Sequence, residues 1–415
     1  MSEHPRPAAR PTVPSRPRRR PPRIAAAAVA GALLAGGLTG CDVGDAADAE
    51  AEIGVAKNEI AVQKAMQELV KAGFPGVMVS VKGKDGKTRD YSAGVGDRET
   101  GDAPPKNGYF RIASNTKSFT AVAVLQLVGE GKVKLDEPVD TYLPGVVKGP
   151  DYDGEKITVR HLLQHTSGIP DYTQWVDADT GKRPTTTYTA EQLLAPALKH
   201  KADFPVGKMR AYSNTNYIIA GMLVEKLDGK PVGDAVTARV IERAGLEQTS
   251  WPKPGDQSVP KPRMEGYTAP IGGKLTNVTE MDPSISGAAG MAISTPRDLN
   301  RFFRAVVDGT LLPAAQLKEM QKTIEGEPGD MPNTVFGLGL DKQTLSCGDV
   351  WGHGGDIHGY ESRGGVMADG REVTVVVNAL PGAIIEKRPS MEAMEKEAMA
   401  KATAVLDFVD TAICE

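Results

Sequence analysis

Cysteine is scarce in this chain of 415 residues, three in all, and long apolar runs are scarcer still. The longest, Ile24 to Leu38, is too short to span a bilayer comfortably, and no other segment approaches that length, which argues against an embedded protein. No G-x-S-x-G elbow occurs, which argues against the α/β-hydrolase plan. No H-E-x-x-H occurs either. His161 and His165 stand four apart, but the glutamate is missing and spacing suggests no third ligand, so capping or packing is the preferred reading over a metal site. Gly129-Glu-Gly-Lys132 lacks both the earlier glycine and the following hydroxyl of a P-loop. No internal repeat is visible, and 46 glycines with 30 prolines stop short of a disordered composition.

What the N-terminus does have is the layout of an export signal. Residues 1–23 carry seven arginines, one glutamate and seven prolines, and the short apolar run follows. It closes on Leu38-Thr39-Gly40-Cys41, which looks like a bacterial lipobox, whose cysteine is lipidated and becomes the first mature residue. An ordinary secretory signal with an incidental cysteine is the plainer alternative, and Arg18-Arg19-Arg20 leaves the export route open. Residues 1–40 are thus read as a lipoprotein signal peptide, and the small, acidic residues 41–55 as a flexible tether. The expected location is extracytoplasmic, at the cell membrane, with Cys41 carrying the lipid. Losing residues 1–40 removes seven positive charges and one negative, so the formal charge falls from −4 to −10. Nucleic-acid binding needs basic surface and is not expected. In an oxidising compartment Cys347 and Cys414 invite pairing with each other, closing a loop of 66 intervening residues; two free buried thiols are the alternative.

Residues 56–415 are read as one domain, long enough for a large core. Val62, Met66, Leu69 and Val70 recur at helical spacing within Ala56–Ala72, and Gly73 and Pro75 end the run. Val77–Gly94 reads as a hairpin turning at Lys84-Asp85-Gly86-Lys87. Asp298–Val307, Pro313–Thr323 and Ser390–Val409 are helical in pattern, and strand-like runs return over Asp349–Leu380. Strands at both ends with helices between predict an α+β fold, one sheet built from both ends with a mainly helical insertion over roughly 130–285.

Ser114 and Lys117 open an apolar helical run, Ala121-Val-Ala-Val-Leu-Gln-Leu-Val128. Three residues apart, they share a helix face, so a hydroxyl would meet an amine at the start of a core helix. Serine needs a base to become a nucleophile, and a desolvated lysine can be that base. The helix N-terminus adds unpaired N–H groups for an oxyanion. S-x-x-K alone also fits a surface serine beside a solvated lysine, and Ser250–Lys253 and Ser258–Lys261 repeat it with proline inside the motif.

Partner motifs decide. Tyr212-Ser213-Asn214 and His353-Gly354-Gly355 follow Ser114-x-x-Lys117 in order, and Phe110–Ser114, Leu135–Pro144 (LDEPVDTYLP) and His161–Pro170 (HLLQHTSGIP) accompany them. This set resembles the penicillin-recognising serine hydrolases, which include D-alanyl-D-alanine carboxypeptidases, class C β-lactamases, D-amino-acid-specific peptidases and related esterases. The resemblance covers roughly residues 60–410. It implies an antiparallel sheet flanked by helices, a helical domain, a site between them, and no metal or organic cofactor. It also implies roles: Ser114 as nucleophile; Lys117 as base or relay; Tyr212 as proton shuttle where nearby cations lower its pKa; Asn214 as an amide facing substrate and Lys117. His353 would bond or carry charge. Gly355 would let substrate backbone approach, and the N–H groups of Ser114 and Asp356 would form the oxyanion hole.

Two departures stand out. Gly354 occupies a position where carboxypeptidases often carry a hydroxyl for the substrate carboxylate, and Asp356 puts an acid where relatives often have threonine or serine. A D-alanyl-D-alanine carboxypeptidase-like action on cell-wall peptides is the first expectation, with β-lactams as possible inhibitors. Esterase, β-lactamase and D-amino-acid amidase or aminopeptidase are the alternatives, and a non-catalytic penicillin-binding receptor is the reading from another class.

Overall fold

Valine-rich runs from opposite ends of the sequence meet as neighbouring strands at the centre of one sheet. The computed structural model describes residues 43–176, 184–327 and 330–415, with side chains from Lys57 on. Residues 1–40 and Cys41 lie outside the described residues. Two units are separable, Met1–Ala47 and Asp48–Glu415, and the architecture below is that of the second.

Nine strands among the described residues build the sheet: β1 (Gly76–Lys82), β2 (Thr88–Gly94), β3 (Ile324–Glu325), β4 (Thr334–Phe336), β5 (Asp341–Leu345), β6 (Gly348–Gly352), β7 (Gly355–Ile357), β8 (Tyr360–Met367) and β9 (Glu372–Val377). Their order is β2-β1-β9-β8-β6-β5-β4-β3, with β7 pairing β8 off this path, and every pairing is antiparallel. The helices used below are α1 (Val43–Lys71), α2 (Asn115–Gly129), α3 (Val159–Leu163), α4 (Asn214–Asp228), α5 (Pro296–Val307) and α6 (Met391–Cys414).

Both sheet faces are covered, which is why β1 and β9 are apolar without alternation. Side chains still alternate in direction. Val77, Val79, Val81, Val373, Val375 and Val377 pack with Met66 and Leu69 of α1 and Val405, Phe408 and Val409 of α6. Met78, Val366 and Val376 face the other core, shared with α2, α4 and α5. On that face Asn300 of α5 donates to the backbone carbonyl of Ser80 at 3.1 Å and accepts from the Thr374 hydroxyl at 2.7 Å. The insertion is mainly helical, and α2 is its spine, buried along nearly its whole length and packed against α4.

The expected hairpin forms over β1 and β2, turning through Gly86 at φ +71°. One expectation changes. The acidic stretch read as a flexible tether is helical from Val43 onward, because D-A-A-D-A-E-A-E is rich in alanine and glutamate and extends α1 upstream. The C-terminal helix likewise runs past Val409 to Cys414, which forms a disulfide with Cys347 across a Cα separation of 5.4 Å. No described helix is long and apolar enough to cross a membrane.

The disulfide ties the end of α6 to the β5–β6 turn across a sequence separation of 67. Replacing both cysteines with alanine should lower unfolding free energy by about 4 kcal/mol on the chain-entropy account. Urea denaturation checks this; a loss below about 1 kcal/mol would mean that packing alone holds α6.

Candidate active site

Ser114 sits at the N-cap of α2, the position where serine ordinarily caps a helix. Here its side chain makes no capping bond. It is turned aside by a strained approach: Ala113 has φ +51°, a region that favours glycine. That turn is held by its neighbours. Phe110–Arg111 pairs with Ile293–Ser294, Ile112 N donates to Ala292 O at 3.0 Å, and Asn115 Nδ2 donates to Ile112 O at 2.9 Å and Ser362 Oγ at 3.0 Å. Arg111 is buried and donates to the carbonyls of Gln257, Thr279 and Met281, which fixes the segment leading into the turn.

The hydroxyl so released meets two partners. Lys117 Nζ lies 3.0 Å from Ser114 Oγ, and Tyr212 donates its phenol hydrogen to the same oxygen at 2.7 Å. Lys117 is fully buried, and Nζ also donates to Asn214 Oδ1 at 2.7 Å and Ala289 O at 2.9 Å. Asn214 begins α4, and Asp171 fixes its amide by accepting from Asn214 Nδ2 at 2.8 Å and N at 3.2 Å, so Oδ1 faces the lysine. The His353-Gly354-Gly355 motif lies between β6 and β7. A Cβ on Gly355 would fall 2.3 Å from Ile112 O and 2.5 Å from Asn115 Nδ2. Gly355 is therefore required by the contact between β7 and the Ser114 turn. The three motifs converge on a cleft of about 530 Å³ lined by Ser114, Tyr172, Tyr212, Asn214, His353 and Asp356 among others.

The Beta-lactamase family model matches residues 62–384. The chain belongs to the beta-lactamase family. Among solved structures it is similar to a D-stereospecific amidohydrolase from Streptomyces sp., at 38% identity and a TM-score of 0.72, covering 82% of this chain and 97% of that one. It is also similar to a D-amino acid amidase from Ochrobactrum anthropi SV3, at 27% identity and a TM-score of 0.69 over 85% and 99% of the two chains. Penicillin-binding protein 4* of Bacillus subtilis is 28% identical over 304 residues, which are 70% of this chain and 65% of that protein. Penicillin-binding protein 4 of Amycolatopsis lactamdurans is 29% identical over 305 residues, 69% and 72% of the two. The chain thus spans about two thirds of the length of these penicillin-binding relatives. It is a serine hydrolase with the fold expected from its motifs.

The electrostatics of this beta-lactamase-family site run against one sequence expectation, at Tyr212, and choose between two at His353. Burial, not cations, dominates at Tyr212. Its ring keeps 37% of its surface open to the cleft, but desolvation and the charges of Asp171, Asp356 and Asp341 raise its pKa, so the phenol stays protonated. His353 is pulled down from its usual value by burial, which outweighs Asp341 Oδ2 at 3.9 Å from Nε2. It is a neutral hydrogen-bonding ring with Nδ1 2.6 Å from Gly354 O, not a standing positive charge. Lys117 is also pulled down by burial, to about 7, with Asp171, Asp356 and Asp341 pulling the other way. Asp356, the acid at a position where relatives often have threonine or serine, is paired with Arg363 at 2.9 Å.

Two residues that shape the site were given no role in it by the sequence reading. His165 leaves the helical path with φ +58°, so it does not share a face with His161, whose ring accepts from Thr158 N in a capping box. Its Nδ1 accepts from Ser213 N at 3.1 Å, and its ring stacks on Tyr212 with centroids 4.5 Å apart. Asp171 follows directly on the HTSGIP stretch, which was its only sequence signal. Among the described residues no group of three or more histidine, cysteine, aspartate or glutamate side chains is arranged to hold a metal ion.

Because the lysine pKa sits near 7, the free-amine form grows as pH rises through that value. Acylation of Ser114 should therefore increase with pH along a curve with an apparent pKa near 7 and level off above it. Stopped-flow acylation by a chromogenic β-lactam would check this, and a flat profile between pH 5.5 and 9 would contradict it. Gly355→Ala should cost about 1–3 kcal/mol of stability and slow acylation about 100-fold, because β7 must move off Ile112. Thermal melts and the same acylation assay read both.

Proposed function

We propose that Ser114 is the nucleophile of a D-stereospecific amide hydrolase working through an acyl-enzyme. The observation that carries this is the valence of Lys117. A neutral amine has two N–H bonds and one lone pair. Asn214 Oδ1 and Ala289 O take the two hydrogens, which leaves the lone pair for the hydroxyl of Ser114. In that arrangement Lys117 accepts the Ser114 proton as Oγ attacks the carbonyl carbon. The oxyanion forms against the N–H groups of Ser114 and Asp356, preorganised donors each worth about 3 kcal/mol. Tyr212, protonated and 2.7 Å from Oγ, hands a proton toward the leaving nitrogen, and Lys117, which holds the proton taken from Ser114, is the group that returns one to the phenolate. Water then attacks the ester with the same pair acting in reverse.

The cleft supports an amide substrate over a carboxypeptidase substrate. The two guanidinium groups lining it, Arg210 and Arg363, are already held by Asp330 and Asp356. Asp341 and Asp356 add acidic character to the wall. An amine-bearing or uncharged substrate suits that balance, and Tyr172, Ile285, Met331 and Phe336 offer an apolar wall for its side chain. Similarity to a D-stereospecific amidohydrolase and a D-amino acid amidase supports the same substrate class. The lipobox-like Leu38–Cys41 supports lipid anchoring, and the Cys347–Cys414 disulfide supports an extracytoplasmic site of action.

The test compares D-phenylalanine amide with its L enantiomer. The D form should be hydrolysed with a kcat/KM at least about 100-fold higher. Ser114→Ala should lower turnover roughly a thousand-fold or more. Intact mass after incubation with a penicillin should show an adduct on the wild-type protein and none on Ser114→Ala. Equal rates on both enantiomers, or turnover surviving Ser114→Ala, would contradict the proposal.

A further inference from the structure

The cleft wall contains an ion pair that the reaction above does not use. Arg363 on β8 is nearly buried, with 10% of its side chain exposed, yet it borders the cleft. Its Nη2 lies 2.9 and 3.0 Å from the two carboxylate oxygens of Asp356, and 2.9 Å from Glu361 Oε1. The two acids occupy different depths. Glu361 is fully buried, while the Asp356 side chain is 53% exposed and so is the partner on the solvent side. Nη1 donates to Ser362 O at 2.9 Å, which anchors the other arm of the guanidinium. Gly354 makes the room: a Cβ there would fall 3.0 Å from Nη1 and 3.4 Å from Cδ of Arg363. The glycine of His353-Gly354-Gly355 and the arginine across from it thus form one unit, a guanidinium brought to the edge of the reacting centre.

A guanidinium so placed is a carboxylate receptor. That Arg363 holds a second carboxylate beyond Glu361 shows that the buried acid does not exhaust it. The second one comes from the protein itself. Resting on the amide-hydrolase reading above, we infer that Asp356 stands in for a substrate carboxylate on Arg363 and thereby excludes leaving groups that carry a free carboxylate beside the scissile bond. The backbone N–H of Asp356 faces the reacting carbonyl in that reading, so its side chain and Arg363 lie within one residue's reach of the bond. A substrate ending in an amide has no quarrel with the pair. One ending in a free acid must displace Asp356 or face its charge.

Two measurements on the full-length protein test this. In the Ser114→Ala background, binding of N-acetyl-D-alanine and of N-acetyl-D-alaninamide is followed by NMR titration, with and without Asp356→Ala. The affinity for the acid relative to that for the amide should rise at least about 10-fold once Asp356 is removed. Adding Arg363→Gln should abolish the gain. In active protein, the ratio of kcat/KM for an acyl-D-alanyl-D-alanine over its C-terminal amide should rise at least about 10-fold in Asp356→Ala and fall back with Arg363→Gln. An unchanged acid-to-amide ratio in both measurements overturns the inference. So does a gain that survives loss of Arg363, because relief of repulsion alone would then explain it. If the wild type hydrolyses no amide, the proposed function fails, and the binding comparison still decides the role of Asp356.

Discussion

Lys117 is carried out of water by α2, and its nitrogen there meets two fixed oxygens and one hydroxyl. Much of the surrounding structure serves that one contact. The apolar run after it, Ala121 to Leu127, is wholly buried and keeps the helix from shifting. Ser118 donates to Gly339 O at 2.6 Å, which docks the start of the helix on the segment leading into β5. Asp171 holds Asn214, and Asn214 in turn holds the lysine. Burial alone would pull the pKa of this lysine lower still. The nearby charges of Asp171, Asp356 and Asp341 oppose that, which brings the pKa to about 7, where a base works best at physiological pH.

The same burial decides what Tyr212 and His353 do. A phenol beside a desolvated amine and several carboxylates keeps its proton, so it acts as a donor. An imidazole in that setting loses its proton, so it acts through hydrogen bonds. Neither ring carries charge at rest, and the free charge of the cleft is left to its carboxylates and to arginines already paired with them. Selectivity then depends on which of those pairs a substrate can enter. Asp356 and Arg363 are placed for that choice, next to the reacting centre and open to solvent on one side.

Much of this was legible in the sequence because the chemistry sits in short ordered motifs. Ser114 and Lys117 meet as their spacing implied, Tyr212 and Asn214 join them as the family resemblance implied, and the apolar periodicities placed the hairpin and the long helices. The valine runs of β1 and β9 announced a sheet drawn from both ends of the chain. What stayed hidden depends on depth and on contacts far apart in sequence. No local pattern reveals that Gly355 is pressed against Ile112, that Arg363 reaches Asp356, or that His165 turns out of its helix to brace Tyr212. The direction of the Tyr212 shift was missed for the same reason, since neighbouring cations can be guessed from motifs but desolvation cannot. The helix over 43–55 was missed because small acidic residues suit a tether and a helix alike.

The central claim is that Lys117 is a free amine for much of its time near neutral pH. Its side-chain resonance can be followed directly by NMR across pH, using the protein with lysine labelled at Cε and Lys117→Met to assign the signal. A titration centred near 7, shifted by Asp171→Asn in the direction of a lower pKa, is what this account predicts. A midpoint near 10 would mean a permanently charged lysine, and the base at Ser114 would have to be sought elsewhere.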